Sequence, residues 1–231
     1  MPPSIPLKWS RLPFQNSGSF WGGAVPKGKG IEEIKQELCR FAKLAWERRL
    51  IAGLGGNVSA RVPGEELILI TASGVSLRDT APRNLIAVNL DGELVDKASN
   101  LTPSKELGMH LAAYRLREEV KAVFHLHPPH ATAFATWGSP LPLVVDGAKA
   151  RFGYVPCLDY APSGSEMLHN IVQKGIGLFP NAWAYLLKNH GSITLGRSVA
   201  EAFYLADLLE DAAKIALLST LARGGYPEVP R

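Results

Sequence analysis

Residues 120–130 read Val-Lys-Ala-Val-Phe-His-Leu-His-Pro-Pro-His, and the fold turns on how that run is read. Lys121 to His127 has the apolar content of a strand, and Pro128-Pro129 stops it because proline cannot donate to a ladder. Side chains alternate across a strand, so residues two apart share a face. His125 and His127 therefore project together from the strand's exit. Two neutral imidazoles at that spacing supply half of a tetrahedral or five-coordinate divalent metal site. In isolation, such a pair is more often one packed and one solvated histidine.

Working outward, the periodicity alternates between helix and short strand. Ile31, Ile34, Leu38, Phe41 and Ala45 recur at helical spacing, and that helix should end before Gly53-Leu54-Gly55-Gly56. Strands are expected at Asn57 to Arg61, Leu67 to Thr71 and Leu85 to Leu90, the last turning at Asp91-Gly92 into Glu93 to Val95. A helix is expected from near Ser104, with Glu106 as its first-turn acid. A short helix after Pro129 leads to strand-like Leu143 to Val145 and Tyr154 to Leu158. Ser163 or Ser165 then caps a helix, Ala184 to Lys188 and Ser192 to Leu195 form a strand pair, and a long helix with a Val199, Phe203, Ala206, Leu209, Ala213, Ala216 stripe follows. This pattern predicts one mixed α/β domain, residues 31–223, with helices covering a largely antiparallel sheet. Residues 1–30 hold five prolines and five glycines among Trp9, Phe14, Phe20 and Trp21, and read as a separate arm. Residues 224–231 read as a tail.

Composition sets limits on partners. The chain has 231 residues, 46% hydrophobic, and its apolar runs fall far short of the ~20 residues a membrane span needs. Twenty-five Lys and Arg against 21 Asp and Glu give +4, yet Lys8, Arg11, Lys27 and Lys29 in the acid-free arm account for all of it. The remaining body is neutral, which argues against a nucleic-acid partner. Cys39 and Cys157 lie far apart and read as small buried hydrophobes of a reduced, cytoplasmic protein. Prolines break the N-terminus where a secretory signal would need a continuous apolar core.

Three further features bear on chemistry. His190, in Lys188-Asn189-His190-Gly191, sits between two predicted strands, where Gly191 permits a close turn that could aim it inward. His110 lies four residues after Glu106, on the same helical face. Glu106 suits a general acid or base beside a metal, although alone it reads as an acid complementing a helix N-terminus. Gly55-Gly56-Asn57, Thr71-Ala72-Ser73-Gly74 and Thr102-Pro103-Ser104-Lys105 are three turns able to offer N–H groups, hydroxyls or an ammonium to an anion. None is a Walker loop or GxGxxG, so a nucleotide cofactor is not indicated. His130 and His169 read as structural or exposed, and Trp46, Phe124, Phe134, Trp137, Trp183 and Phe203 as core or interface residues.

Taken in order, Gly55-Gly56-Asn57-Val58-Ser59-Ala60-Arg61, Thr71-Ala72-Ser73-Gly74, Pro103 to His110, His125 to Ala131 and Asn189-His190-Gly191 resemble the class II aldolase/adducin superfamily, sugar-phosphate aldolases of the L-fuculose-1-phosphate aldolase type. The resemblance spans about residues 31–220. It implies a three-layer α/β/α fold and a homotetramer with active sites at subunit interfaces. It implies Zn2+, or another divalent metal such as Mn2+, Co2+ or Fe2+, on His125, His127 and His190. Glu106 becomes the catalytic acid/base, and a metal ligand when substrate is absent. Gly56, Asn57, Ser73, Gly74 and Ser104 line the phosphate pocket. The implied reaction is reversible aldol cleavage of a phosphorylated ketose to dihydroxyacetone phosphate and an aldehyde through a metal-stabilised enediolate. The alternative within the superfamily is a metal-dependent decarboxylase or dehydratase, and a non-catalytic adducin-like scaffold is expected to lack the ligands. The chain departs from the aldolase pattern in two places. Lys105 replaces a serine and can pair with phosphate or with a substrate carboxylate. Leu143-Val144-Val145-Asp146 lacks the tyrosine that protonates the aldehyde oxygen, and Tyr226 in the tail is a possible substitute.

Overall fold

In the computed structural model, residues 30–95 and 100–224 are described. Their strands are β1 (Asn57–Arg61), β2 (Ile68–Thr71), β3 (Leu85–Val88), β4 (Ala122–Leu126), β5 (Cys157–Leu158), β6 (Ala184–Leu187) and β7 (Gly191–Gly196). They form one sheet in the order β3-β2-β1-β4-β7-β6-β5, antiparallel throughout except for the parallel β5–β6 pair. The helices are α1 (Ile31–Glu47), α2 (Leu107–Leu116), α3 (Pro129–Thr136), α4 (Asp146–Phe152), α5 (Glu166–Leu178) and α6 (Val199–Ala222). The fold is the expected three-layer α/β/α with a largely antiparallel mixed sheet.

Strand alternation assigns the two faces. Val58 and Ala60 of β1, Leu69 of β2, and Ala122, Phe124 and Leu126 of β4 pack with α1 and the first turns of α6. Phe203 anchors this side, its ring 5.2 Å from Phe41 and 6.2 Å from Phe124. Ile68, Ile70, Val123, Ile193 and Leu195 carry the opposite parity and meet α2 and α5 through Met109, Leu168 and Val172. Because β4 is central and covered on both faces, His125, of the Val123 parity, is fully buried.

Several elements differ from the sequence reading. Residues 143–145 form no strand; Val145 is instead the N-cap of α4, a helix the periodicity missed because seven residues are too few for a clear stripe. Leu94 contributes a single bridge to Val88 rather than a returning strand. α2 begins at Leu107, three residues later than expected, so Glu106 is its N-cap and not a first-turn acid. Ser165 caps α5 by accepting from the Leu168 N–H at 3.2 Å, which leaves Ser163 for another role. Both cysteines are unpaired and partly exposed rather than fully buried. Nearly all of the proposed arm, with Trp9 and Trp21, and Tyr226 of the tail lie outside the described residues. No helix among those described is long and apolar enough to cross a membrane.

The segment after β4 is tied down from α6. Glu210 accepts from the main-chain N–H groups of His130 (3.0 Å) and Ala131 (2.9 Å) and from His130 Nδ1 (2.7 Å). These are first-turn N–H groups of α3 with no partner inside the helix, and an acid suits their positive end. Glu210 thereby fixes the exit of the His125–His127 strand. Glu210→Ala is expected to lower stability by about 1–2 kcal/mol, and Glu210→Gln by less, in urea denaturation. An unchanged midpoint in Glu210→Ala would show that the exit is held by other contacts.

Candidate metal centre

The centre forms where β1 begins, β4 ends and β7 begins. The register places Asn57 opposite His125 and Leu126 opposite Ser192, so the ends of three neighbouring strands meet. His190 occupies the β6–β7 turn, where the left-handed residue is Asn189 (φ 56°). Gly191, expected to make that turn, serves a different purpose. A Cβ there would lie 2.5 Å from both His127 Cδ2 and the Leu126 carbonyl oxygen, so its bareness lets the turn close over His127. Gly56 (φ 72°) is also bare by need, since a Cβ would meet the His125 carbonyl oxygen at 2.9 Å.

These approaches bring His125, His127 and His190 together, each with a ring nitrogen within 4.8 Å of the others. His125 Nδ1 lies 2.9 Å from the Ser192 carbonyl oxygen; a carbonyl only accepts, so Nδ1 carries a proton and Nε2 is the nitrogen turned inward. Nε2 of His127 lies 3.0 Å from Nε2 of His125, close to the about 3.3 Å that two nitrogens at Zn–N distances subtend in a tetrahedron. Burial pushes the imidazole pKa values down to about 3 for His127 and about 4 for His190, with like-charge repulsion from His125 adding to it. Neutral rings are the form that binds metal. The Nδ1 of His190 is buried without a hydrogen-bond partner. Three imidazoles gathered in this way suit a divalent cation, and the donor set fits the group the sequence implies.

Glu106 faces the same cluster. Its Oε2 lies 2.9 Å from Asn57 Nδ2 and 3.1 Å from His125 Nε2; its Oε1 lies 2.7 Å from Ser163 Oγ and 3.3 Å from His190 Nε2. Burial pushes its carboxyl upward, but the hydrogen bond and electrostatic attraction of His125, with bonds from Ser163 and Asn57, outweigh it and hold the carboxyl well below the usual carboxylate range. Ser163 was not expected here. Its Ser-Gly-Ser context signals only a turn or cap, and nothing in the sequence ties position 163 to position 106.

The three anion-binding candidates also converge. Thr71 Oγ1 accepts from the Val58 N–H at 3.2 Å, Ser73 N–H donates to Thr102 at 2.9 Å, and Ala72 bridges Pro103. Ser104 is buried, with its Oγ accepting from the Glu106 N–H at 3.3 Å. Ser73 and Gly74 (φ 75°) are exposed, as is Lys105, whose stem lies along Gly164 in the Ser163 loop. Some groups expected to be free are engaged: Gly55 N–H donates to Ala52, Ser104 N–H to Thr71, and both polar side-chain atoms of Asn57 are bonded. His130 and His169 stand outside the cluster, as expected.

Three histidines thus gather at the strand ends with Glu106, the N-cap of α2, beside them, as the resemblance to the class II aldolase family leads one to expect. The chain belongs to that family: the model of the class II aldolase and adducin N-terminal domain matches residues 36–217. It is an enzyme of the class II aldolase type, a lyase. It is 32% identical over 179 residues to an L-fuculose phosphate aldolase of Methanococcus maripaludis, covering 78% of this chain and 93% of that one. It is 33% identical over 189 residues to a 3-oxo-tetronate 4-phosphate decarboxylase of Escherichia coli, covering 80% and 86%. Among solved structures it resembles an L-fuculose 1-phosphate aldolase with a TM-score of 0.74 at 29% identity, covering 86% of this chain and 91% of that one.

Acid should destabilise the metal-free protein. For His127, His190 and the wholly buried His110, whose pKa burial pushes down to about 3, the folded state refuses protons that the unfolded chain accepts at about 6.5. Their depressed values leave stability intact above about pH 6.5. It falls by up to about 1.4 kcal/mol per pH unit per histidine as pH drops towards 4. Below about 4.5 the unfolded chain also takes a proton on Glu106 while the folded carboxylate resists it, which acts in the same direction. Urea titrations across pH 4.5–8 check this. At pH 7, Zn2+ at 100-fold over its Kd should add about 2.7 kcal/mol, and His125→Ala or His190→Ala should abolish that increment.

Proposed function

We propose that this chain is a divalent-metal-dependent lyase that cleaves a phosphorylated ketose reversibly to dihydroxyacetone phosphate and an aldehyde. The observation that carries the reading is the placement of Glu106, a buried carboxylate 3.1 and 3.3 Å from two histidines of a three-histidine cluster. His125, His127 and His190 hold the metal, with Zn2+ first among the candidates. When bound, it supplies Lewis-acid stabilisation for negative charge building on the ketose carbonyl and its neighbouring hydroxyl. Glu106 carries the proton to and from the enediolate carbon, and Ser163 and Asn57 hold its two oxygens in place meanwhile. Gly56, Ser73, Gly74 and Ser104 receive the phosphate at the joined turns. Asn57 contributes there through its main chain, since its amide is committed elsewhere.

The catalytic domain is residues 31–223, with 1–30 an arm and 224–231 a tail. The protein is cytoplasmic and homotetrameric, with sites at subunit boundaries. Exposed Tyr160, Met167 and Leu178 on and near α5 support subunit contact there. A phosphorylated 3-oxo acid that loses CO2 is the second reading. Two observations favour it: the likeness to a decarboxylase, and exposed Lys105 beside Glu106, a cation suited to a substrate carboxylate. Both reactions generate the same kind of enediolate, so one site serves either.

The deciding experiment incubates metal-loaded protein with dihydroxyacetone phosphate plus short aldehydes, and separately with 3-oxo-tetronate 4-phosphate. New ketose phosphate without CO2 release supports the aldolase reading, and CO2 release without aldol product replaces it with the decarboxylase. In either assay Glu106→Gln should lower kcat by about 10²–10⁴-fold with metal content unchanged. Lys105→Ala should raise KM selectively for the carboxylate substrate if the second reading holds.

A further inference from the structure

Behind Glu106, on the face of β1 covered by α2, runs a buried line of polar side chains of which the proposed chemistry uses only Asn57. Asn57 Nδ2 donates to Glu106 Oε2 at 2.9 Å, and Asn57 Oδ1 lies 2.6 Å from His110 Nε2. The other ring nitrogen of His110, Nδ1, lies 2.7 Å from Ser59 Oγ, which lies 2.7 Å from the Tyr114 hydroxyl. His110, Ser59 and Tyr114 are all at most 1% exposed. Asn57 and Ser59 share a face of β1 because they are two apart; Glu106, His110 and Tyr114 recur every four residues along the start of α2. The line is thus written twice, once in strand period and once in helix period.

Its direction follows from one end. A carboxylate accepts and cannot donate, so the Asn57 amide must present its NH2 to Glu106 and its oxygen to His110. That oxygen requires an N–H on His110 Nε2. Burial keeps the ring neutral, so Nδ1 is bare and must receive the Ser59 hydroxyl proton. Ser59 in turn accepts from the Tyr114 hydroxyl. Every donor points toward Glu106. With a metal bound, His125 and His190 would be engaged as its ligands, which would leave Asn57 and Ser163 as the donors that hold the carboxylate.

We infer that His110 is a positioning residue for Glu106: its ring, held in the Nε2–H tautomer by Ser59, keeps the NH2 end of the Asn57 amide on the carboxylate. The inference rests on the reading of Glu106 as the proton carrier. Without the ring, the Asn57 oxygen loses its buried donor and the amide is free to turn. Its oxygen would then oppose a carboxylate oxygen, and the proton carrier would lose a fixed, charge-assisted bond.

The test has two arms. In the first, the Zn2+-loaded protein is labelled with 15N in its imidazoles and examined by NMR at pH 7. His110 should be the single neutral Nε2–H tautomer, and Ser59→Ala should shift its nitrogens toward a tautomer mixture. An Nδ1–H or protonated ring in the unmutated protein overturns the inference, whatever the enzyme's substrate proves to be. In the second, His110→Leu should lower kcat about 10–100-fold, with KM for the phosphorylated substrate within about threefold and Zn2+ content intact. His110→Gln, which again offers one donor and one acceptor, should recover most of the loss. Equal losses in kcat and KM, lost Zn2+, or no recovery in His110→Gln would make His110 merely structural and overturn the proposal. If His110→Leu does not fold, Ser59→Ala against Ser59→Thr reads the same split: a several-fold kcat loss in the first restored by the hydroxyl of the second, with equal turnover in the two overturning it. Should Glu106→Gln leave turnover unchanged while the tautomer is as stated, the proton-carrier reading fails and the geometry of the line stands.

Discussion

A carboxylate buried to 7% exposure has to be surrounded by donors, and Glu106 draws them from four separate stretches of chain. A lone buried charge would cost many kcal/mol, so it persists only where hydrogen bonds or opposite charge replace water. β1 supplies Asn57, β4 supplies His125, the loop before α5 supplies Ser163 and the β6–β7 turn supplies His190. Asn57, His125 and the turn that carries His190 are positioned by the central β1–β4–β7 pairing, and Ser163 reaches in from the loop between β5 and α5. Sheet order and polar site are in this sense one constraint: a sheet with another order would leave the charge unsolvated.

The close packing around the centre has a steric counterpart. Gly56 and Gly191 stand where a Cβ would collide with the β4 backbone, and Gly191 also lies against His127. Glu210 reaches from α6 to the first turn of α3 and holds the strand exit from the other side. A rigid frame of this kind keeps three imidazole nitrogens near one another although their lone pairs repel. The same burial that strains the set also keeps His127 and His190 neutral and ready to act as ligands. The low local dielectric strengthens every charge interaction there.

Aldol cleavage and decarboxylation share one demand, an electron sink next to a carbonyl with a proton carrier beside it. The centre meets that demand without specifying which bond breaks. On the proposed reading, discrimination falls to the rim, where Lys105 and the exposed Ser73–Gly74 turn face solvent. A buried polar residue is bound to several partners at once and a rim residue to few, so substitution at the rim disturbs the frame less.

Periodicity alone determined the mixed α/β class, the largely antiparallel sheet, the pairing of His125 with His127 and the stripe of α6, since each is a repeat within a single element. The order of motifs determined the family and, with it, the roles proposed for His190 and Glu106. Tertiary structure decided what local pattern cannot carry. Whether Leu143 to Val145 is a strand or the lead into α4 depends on what packs against it, and three apolar residues fit either. Glu106 proved an N-cap rather than a first-turn acid because residues 103–106 are held by Thr71 and Ala72 of the neighbouring strand end. Ser163 and the line from Asn57 to Tyr114 were invisible for the same reason. Their partners lie about fifty residues away in sequence, and a hydrogen bond between distant positions leaves no period in the chain. Sequence encodes which face a side chain takes; only the assembled sheet decides what that face meets.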